Sequence, residues 1–200
     1  GVRDGAVPAE ARPVAVLPSP SLAEVVRDIN KYSNNVMARQ LFLTLGMEAG
    51  KRPASTEDAD AAIRAWLDAR GLQLPELILE NGSGLSRRER ISAEGMGRLL
   101  QAAWKSAVMP ELIASLPVTA TDGTMKRRLK QNGVAGQAHI KTGSLEGVRS
   151  IAGWVLDKSG RRWIVVFFVN HGNAAQSQPA QDALLRWVHA LGARGAGAER

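Results

Sequence analysis

Cysteine is absent from the 200 residues, which excludes disulfides, thiolate nucleophiles and cysteine–zinc sites and leaves the redox compartment open. Histidine is scarce: His139, His171 and His189 are too few for a histidine-rich metal centre, so no metal and no other cofactor is expected. Long apolar runs are missing. The most apolar stretch, residues 163–169, has the length of a strand, so no transmembrane segment is expected, and residues 1–21 contain no apolar signal-peptide core. Acidic residues are outnumbered, 19 against 26 Lys and Arg, for a net charge of +7 and a pI near 10.4. Such a balance favours a polyanionic neighbour: nucleic acid, an anionic envelope polymer or a membrane surface. Aromatics reach only 4%, and none is interleaved with the densest basic cluster, Lys126-Arg127-Arg128 and Lys130, to stack on bases. That cluster therefore reads as a solvated helix face, and no nucleic-acid partner is expected.

What is there is ordinary globular composition, 44% hydrophobic and 22% charged, enough for one core or part of a larger one. Residues 1–20 hold Pro8, Pro13, Pro18 and Pro20 and read as a linker or the end of a preceding domain, with one short strand at 14–17. Residues 21–135 read as a helical lobe. Ser21 and Glu24 form a capping box, followed by the stripe Leu22, Val25, Val26, Ile29. Asn30 to Asn35 interrupts that helix, and a second restarts with Val36, Met37, Leu41 and Leu45 inward and Gly46 as its stop. A third helix over 56–69 turns Ala59, Ala62, Ile63, Trp66 and Leu67 to one side. Another starts at Ser92, one apolar turn ends at Pro117, and Asp122-Gly123-Thr124 leads into a basic helix over 125–130.

From Gly136 the period changes to two. Residues 136–191 read as an antiparallel sheet of strands 136–142, 150–156 and 162–169, covered by a closing helix that buries Leu184, Trp187, Val188 and Leu191. The third strand is apolar almost throughout, as if covered on both faces. Residues 192–200 read as a tail. In the first strand Gln137, His139 and Lys141 alternate with Ala138, Ile140 and Thr142, and Gly143 and Ser144 follow. A cation, two hydroxyls and a bare backbone position thus fall together at a strand end, a good arrangement for an anionic group. Taken alone, Lys-Thr-Gly is equally a plain strand end with a solvated lysine, and Ser33 and Asn35 equally belong to a plain N-cap.

Other chemistries fit less well. His139 is the one histidine placed for a Ser–His–acid triad, yet Gly82-Ser83-Gly84 lacks the spacing and preceding strand of a nucleophile elbow. No Gly-Lys-Ser/Thr opens a helix to cradle phosphate. Ser33-Asn34-Asn35 together with Lys141-Thr142-Gly143 is the combination that stands out, because Ser-x-Asn and Lys-Thr-Gly elements mark penicillin-binding proteins and class A β-lactamases.

The chain resembles the C-terminal part of class C low-molecular-mass penicillin-binding proteins, the D-alanyl-D-alanine carboxypeptidase/endopeptidase family. The resemblance spans residues 22–170. Lys31-Tyr32-Ser33-Asn34-Asn35 running on to Leu45-Gly46, then Asn81-Gly82-Ser83-Gly84-Leu85-Ser86-Arg87, Leu116-Pro117, Asp122-Gly123-Thr124 and Lys141-Thr142-Gly143-Ser144-Leu145 occur in family order. It implies an α/β architecture, part of a DD-peptidase/β-lactamase-like transpeptidase fold with a helical subdomain before antiparallel strands and a C-terminal helix. It also implies a periplasmic serine enzyme acting on peptidoglycan stem peptides ending in D-Ala-D-Ala and acylated by β-lactam antibiotics. Carried over, Ser33 and Asn35 relay protons and bind the substrate amide, and Lys141 sets the positive potential. Thr142, Gly143 and Ser144 bind the substrate, Thr142 and Ser144 reaching for its terminal carboxylate and the Ser144 N–H serving as an oxyanion donor.

Two departures stand against the match. No serine in the chain has lysine three places on, so the family's Ser-x-x-Lys nucleophile is expected upstream and the 200 residues alone are expected to be inactive. Asn81 stands where the family usually has aspartate. The alternatives are a non-catalytic basic binding module and a serine β-lactamase of the same fold.

Overall fold

The structure is a computed structural model that describes residues 4–131 and 133–193. Residues 4–20 are exposed and form neither helix nor strand. The strand expected at 14–17 does not form: among the described residues no strand pairs with it, and Val14, Val16 and Leu17 lie bare.

Helix α1 (Leu22–Tyr32) begins at the expected capping box, where Ser21 Oγ accepts from the Glu24 N–H and the Glu24 carboxylate accepts from the Ser21 N–H. Helix α2 (Asn35–Glu48) runs past Gly46 rather than stopping there. A Cβ on Gly46 would lie 3.0 Å from the Ala59 backbone nitrogen, so this glycine lets α2 touch α3 (Thr56–Asp68). The inward residue of α2 is Phe42, whereas Val36 and Leu45 are exposed, as is Trp66 of α3. Helix α4 (Ala93–Trp104) starts at Ser92 as expected, and α5 (Met109–Ser115) ends before Pro117.

The basic helix expected over 125–130 is reduced to a single 3-10 turn, Gly123–Met125. Leu129 sits at φ 59°, incompatible with a continuing helix, and both Met125 and Leu129 turn into the core. Arg128 pairs at 2.6 Å with Asp182, both largely buried, so one cation of the basic cluster is a structural tie.

Strands β1 (Ala138–Leu145), β2 (Val148–Leu156) and β3 (Arg162–Asn170) form an antiparallel sheet in that order. The register sets Thr142 opposite Ile151 and Lys141 opposite Ala152. Alternation then sorts the faces. Ala138, Ile140, Ile151, Val155 and Val165 meet Leu185 and Val188 of α6 (Gln178–Ala190) in the main core. His139, Lys141 and Trp154 face the helices. A second apolar cluster, centred on Leu67, Leu74 and Leu77, lies within the helical lobe.

Two expectations about this layer are corrected. Strand β3 is not covered on both faces throughout: its first residues are exposed, Trp163 at 39% and Ile164 at 36%. In α6 Trp187 is half exposed and Leu185 takes the core position instead. Residues 194–200 of the expected tail lie outside the described residues.

Candidate active site

The turn between α1 and α2 decides which of its three polar residues is structural. Asn34 is the N-cap of α2, its side chain accepting from the Met37 N–H at 3.1 Å. That leaves Ser33 and Asn35 for other work. Ser33 lies at φ 52°, ψ 49°, a left-handed conformation that costs a residue with a Cβ about 1–2 kcal/mol. The turn closes with the N–H groups of Ser33 and Asn34 both donating to the Ile29 carbonyl. Glycine or asparagine would suit that geometry better, so the turn between the two helices carries a local backbone cost at Ser33.

Lys141 comes to meet it. Its Nζ donates to Ser33 Oγ at 2.7 Å and to the carbonyl of Thr142 at 2.9 Å, joining two motifs 108 residues apart in the chain. Burial lowers the pKa of Lys141 below the ordinary lysine value, because the half-enclosed ammonium has lost water. Thr142 Oγ1 donates to Thr124 Oγ1 at 2.8 Å. Gly143 is required by a neighbour: a Cβ there would fall 2.2 Å from Ser150 Oγ on β2. Ser144 is exposed.

The edge of β1 is half used. The Ile140 N–H donates to the Pro117 carbonyl at 2.8 Å, and the Thr119 N–H donates to the Ala138 carbonyl at 3.0 Å. Peptide groups of alternate residues point the same way in a strand. Those of Thr142 and Ser144 therefore point out along the same edge, past the end of the 117–119 segment. This edge is open to an added strand, with the Ser144 N–H directed outward.

On the other rim lies the loop after α3. The Gly82 N–H and its two predecessors donate to one carboxylate oxygen of Glu89, at 3.1, 2.7 and 2.9 Å from residues 80, 81 and 82. Asn81 uses both ends of its amide, accepting from the Ser83 N–H at 2.9 Å and donating to the Leu85 carbonyl at 3.3 Å. An aspartate cannot make the second bond, so Asn81 is accommodated as an amide. Arg87 then donates to the Glu146 carbonyl at 2.8 Å, clasping the loop to the β1–β2 turn.

His139 does not serve a triad. Its Nδ1 lies 2.9 Å from the Ile113 carbonyl, which fixes the Nδ1–H tautomer, and burial holds its pKa below the usual value, with the Arg162 and Lys31 cations adding to that and the Ile113 carbonyl opposing it. Behind the Lys141 side chain a cleft of about 990 Å³ separates the lobe from the sheet, lined by residues such as Ile63, Leu99, Trp154 and Phe168. Sequence reasoning named Ser33, Asn35, Lys141, Thr142, Gly143 and Ser144, and the structure brings Ser33 within hydrogen-bonding distance of Lys141. It missed polar residues packed around them, among them Lys31 and Asp122, which pair with each other, and Thr124, which bonds Thr142. Asp122-Gly123-Thr124 carried the signal, but read locally it is only a turn.

Residues 1–191 match the D-Ala-D-Ala carboxypeptidase 3 (S13) family. The chain is 30% identical over 154 residues to D-alanyl-D-alanine carboxypeptidase DacB of Haemophilus influenzae, covering 76% of this chain and 32% of that protein. It is 32% identical over 200 residues to carboxypeptidase DacB of Mycolicibacterium smegmatis, covering 96% of this chain and 41% of that one. The crystal structure of Haemophilus influenzae penicillin binding protein 4 (dacB) superposes with a TM-score of 0.72 at 26% identity, covering 82% of this chain and 39% of that one. The chain thus spans between a third and about two fifths of the length of these relatives.

Proposed function

Because the chain belongs to the D-Ala-D-Ala carboxypeptidase 3 (S13) family, we propose that it is the C-terminal part of a penicillin-sensitive serine D-alanyl-D-alanine carboxypeptidase/endopeptidase. It acts in the periplasm on peptidoglycan stem peptides ending in D-Ala-D-Ala. The observation that carries this reading is the 2.7 Å bond from Lys141 to Ser33, which unites the Ser-x-Asn and Lys-Thr-Gly elements in one site.

The roles are those that the family resemblance implies, and the Lys141–Ser33 contact supports them. The stem peptide lies along the open edge of β1, and its terminal carboxylate meets Lys141, Thr142 and Ser144. An upstream serine gives its proton to the lysine of its own Ser-x-x-Lys motif as it attacks the carbonyl of the D-Ala-D-Ala bond, and the resulting oxyanion accepts from the Ser144 N–H. Asn35 holds the substrate amide. Ser33, hydrogen-bonded to Lys141, passes a proton to the departing D-alanine nitrogen as the C–N bond breaks. Water then attacks the acyl ester, releasing the shortened peptide and the serine hydroxyl. The apolar cleft beside Lys141 supports a nucleophile carried on a further polypeptide segment, because side chains such as Leu99 and Phe168 line it and the buried Trp154 Nε1 has no partner among the described residues.

The test is the intact mass of the full-length protein after incubation with benzylpenicillin. One long-lived penicillin adduct is expected, and none on the 200-residue chain alone. Labelling of the chain alone would move the nucleophile into these residues, and rapid turnover of the antibiotic would make the protein a β-lactamase.

A further inference from the structure

Lys31 is a cation with only 10% of its side chain exposed, two residues before Ser33 and outside every role assigned above. Its Nζ donates to the Leu116 carbonyl at 2.6 Å and to Asp122 Oδ2 at 2.7 Å. The second oxygen of Asp122 accepts from the Val118 N–H at 2.8 Å, so one carboxylate ties the end of α1 to the backbone of segment 116–124. Beside it the Lys31 carbonyl lies against Gly123, where a Cβ would come within 2.6 Å of that oxygen. One residue earlier, Asn30 donates to Ser115 Oγ at 2.8 Å.

The same segment grips β1 from its other side. Pro117 and Thr119 pair with Ile140 and Ala138, and Thr124 pairs with Thr142. Segment 116–124 is therefore a bracket between the two halves of the site, bonded to Lys31 two residues before Ser33 and to the residues around Lys141. The 2.7 Å separation of Ser33 Oγ and Lys141 Nζ depends on both of its ends.

We propose that Lys31 and Asp122 are positioning residues that set the Ser33–Lys141 geometry through this bracket. The inference rests on the peptidase reading given above. Were the pair merely a buried tie, its loss would lower stability and leave the chemistry of the folded protein intact. A strut instead has a kinetic signature. The carboxylate contacts of Lys141, Thr142 and Ser144 stay in place, while the proton relay at Ser33 shifts.

The experiment measures benzylpenicillin binding and acylation separately in full-length wild type, Lys31→Met, Lys31→Arg and Asp122→Asn, alongside crystal structures. For Lys31→Met the acylation rate constant is expected to fall about 100-fold, the cost of a misplacement of about 1 Å, with the preceding binding constant unchanged. Lys31→Arg, which keeps the cation and its donors, recovers most of the rate. In the Lys31→Met crystal Ser33 Oγ and Lys141 Nζ lie beyond hydrogen-bonding distance.

A wild-type acylation rate in folded Lys31→Met, or an unchanged Ser33–Lys141 distance, overturns the proposal. If Lys31→Met does not fold, Asp122→Asn decides in its place, since Asp122 is 40% exposed and asparagine still offers an acceptor to the Val118 N–H. If wild type takes up no penicillin, the peptidase reading falls, and the two crystal structures still decide the strut.

Discussion

Replacing Lys141 with methionine in the full-length protein keeps an unbranched side chain and removes the cation. Two acceptors, Ser33 Oγ and the Thr142 carbonyl, lose their donor. The larger effect falls on the substrate. A carboxylate brought to about 4 Å from Nζ interacts with it by about 4 kcal/mol at an effective dielectric of about 20, suited to a half-enclosed site. At about 1.36 kcal/mol per factor of ten, benzylpenicillin acylation should slow about 1000-fold. The assay is the second-order acylation rate followed by intact mass, run in parallel with benzylpenicillin methyl ester, whose carboxylate is masked. Wild type should react with the ester about 1000-fold more slowly than with the acid, by the same Coulomb term. The Lys141→Met protein should show almost no preference for the acid. Equal losses for acid and ester on the mutation would refute the reasoning, because the lysine would then act on the proton relay and not through the carboxylate.

The pH dependence of acylation in the same protein tests the charge of Lys141 directly. Burial lowers its pKa, so the alkaline loss of activity should begin below the ordinary lysine range, and Lys141→Arg should move it upward. The sign for stability is opposite. The fold binds this proton more weakly than the unfolded chain does, so the contribution of Lys141 to stability grows as pH rises from the folded to the unfolded pKa. Gly82→Ala should cost about 2–3 kcal/mol in urea unfolding, since residue 82 sits at φ 70° and a Cβ there would fall 2.5 Å from the Phe42 Cβ. A loss below about 0.5 kcal/mol would mean that the loop relaxes away from α2. Asp157→Asn should lower the thermal midpoint at pH 7. The Asp157 carboxylate accepts from Trp163 Nε1, Ser159 Oγ and the N–H groups of Ser159 and Arg161, and these bonds hold its pKa far below the usual range. The stability is present above the unfolded pKa of about 3.9 and fades as pH falls through and below it. The wild-type advantage should therefore shrink in acid, and a constant difference from pH 7 to pH 2 would exclude an ionised Asp157 as its source.

What was legible in the sequence and what was not divides along the range of the interactions. The β1 alternation rests on neighbours two apart, and it places Ala138 and Ile140 in the core and Lys141 on the opposite face without further information. The capping box at Ser21 and Glu24 is equally local. Gly46 was misread because the reason for it lies in α3: a glycine ending an apolar run looks like a stop until Ala59 is seen against it. The basic cluster suggested a helix because Lys and Arg are good helix formers, yet Met125 and Leu129 gain more from the core than the helix would return, and Leu129 turns left-handed to reach it. The turn at Asn30 to Asn35 is the instructive case. Its composition announces a cap and does not say which residue caps, and that choice determines whether Ser33 is structural or chemical. With Asn34 as the cap, Ser33 is left-handed, and the α1 end beside Ser33 is fastened by the Lys31–Asp122 pair, 91 residues apart in the chain. Groups that carry chemistry sit in short motifs because each needs a fixed relation to its own helix or strand. Groups that hold those motifs at working distance need only meet in space. A single sequence leaves no period from which to read them.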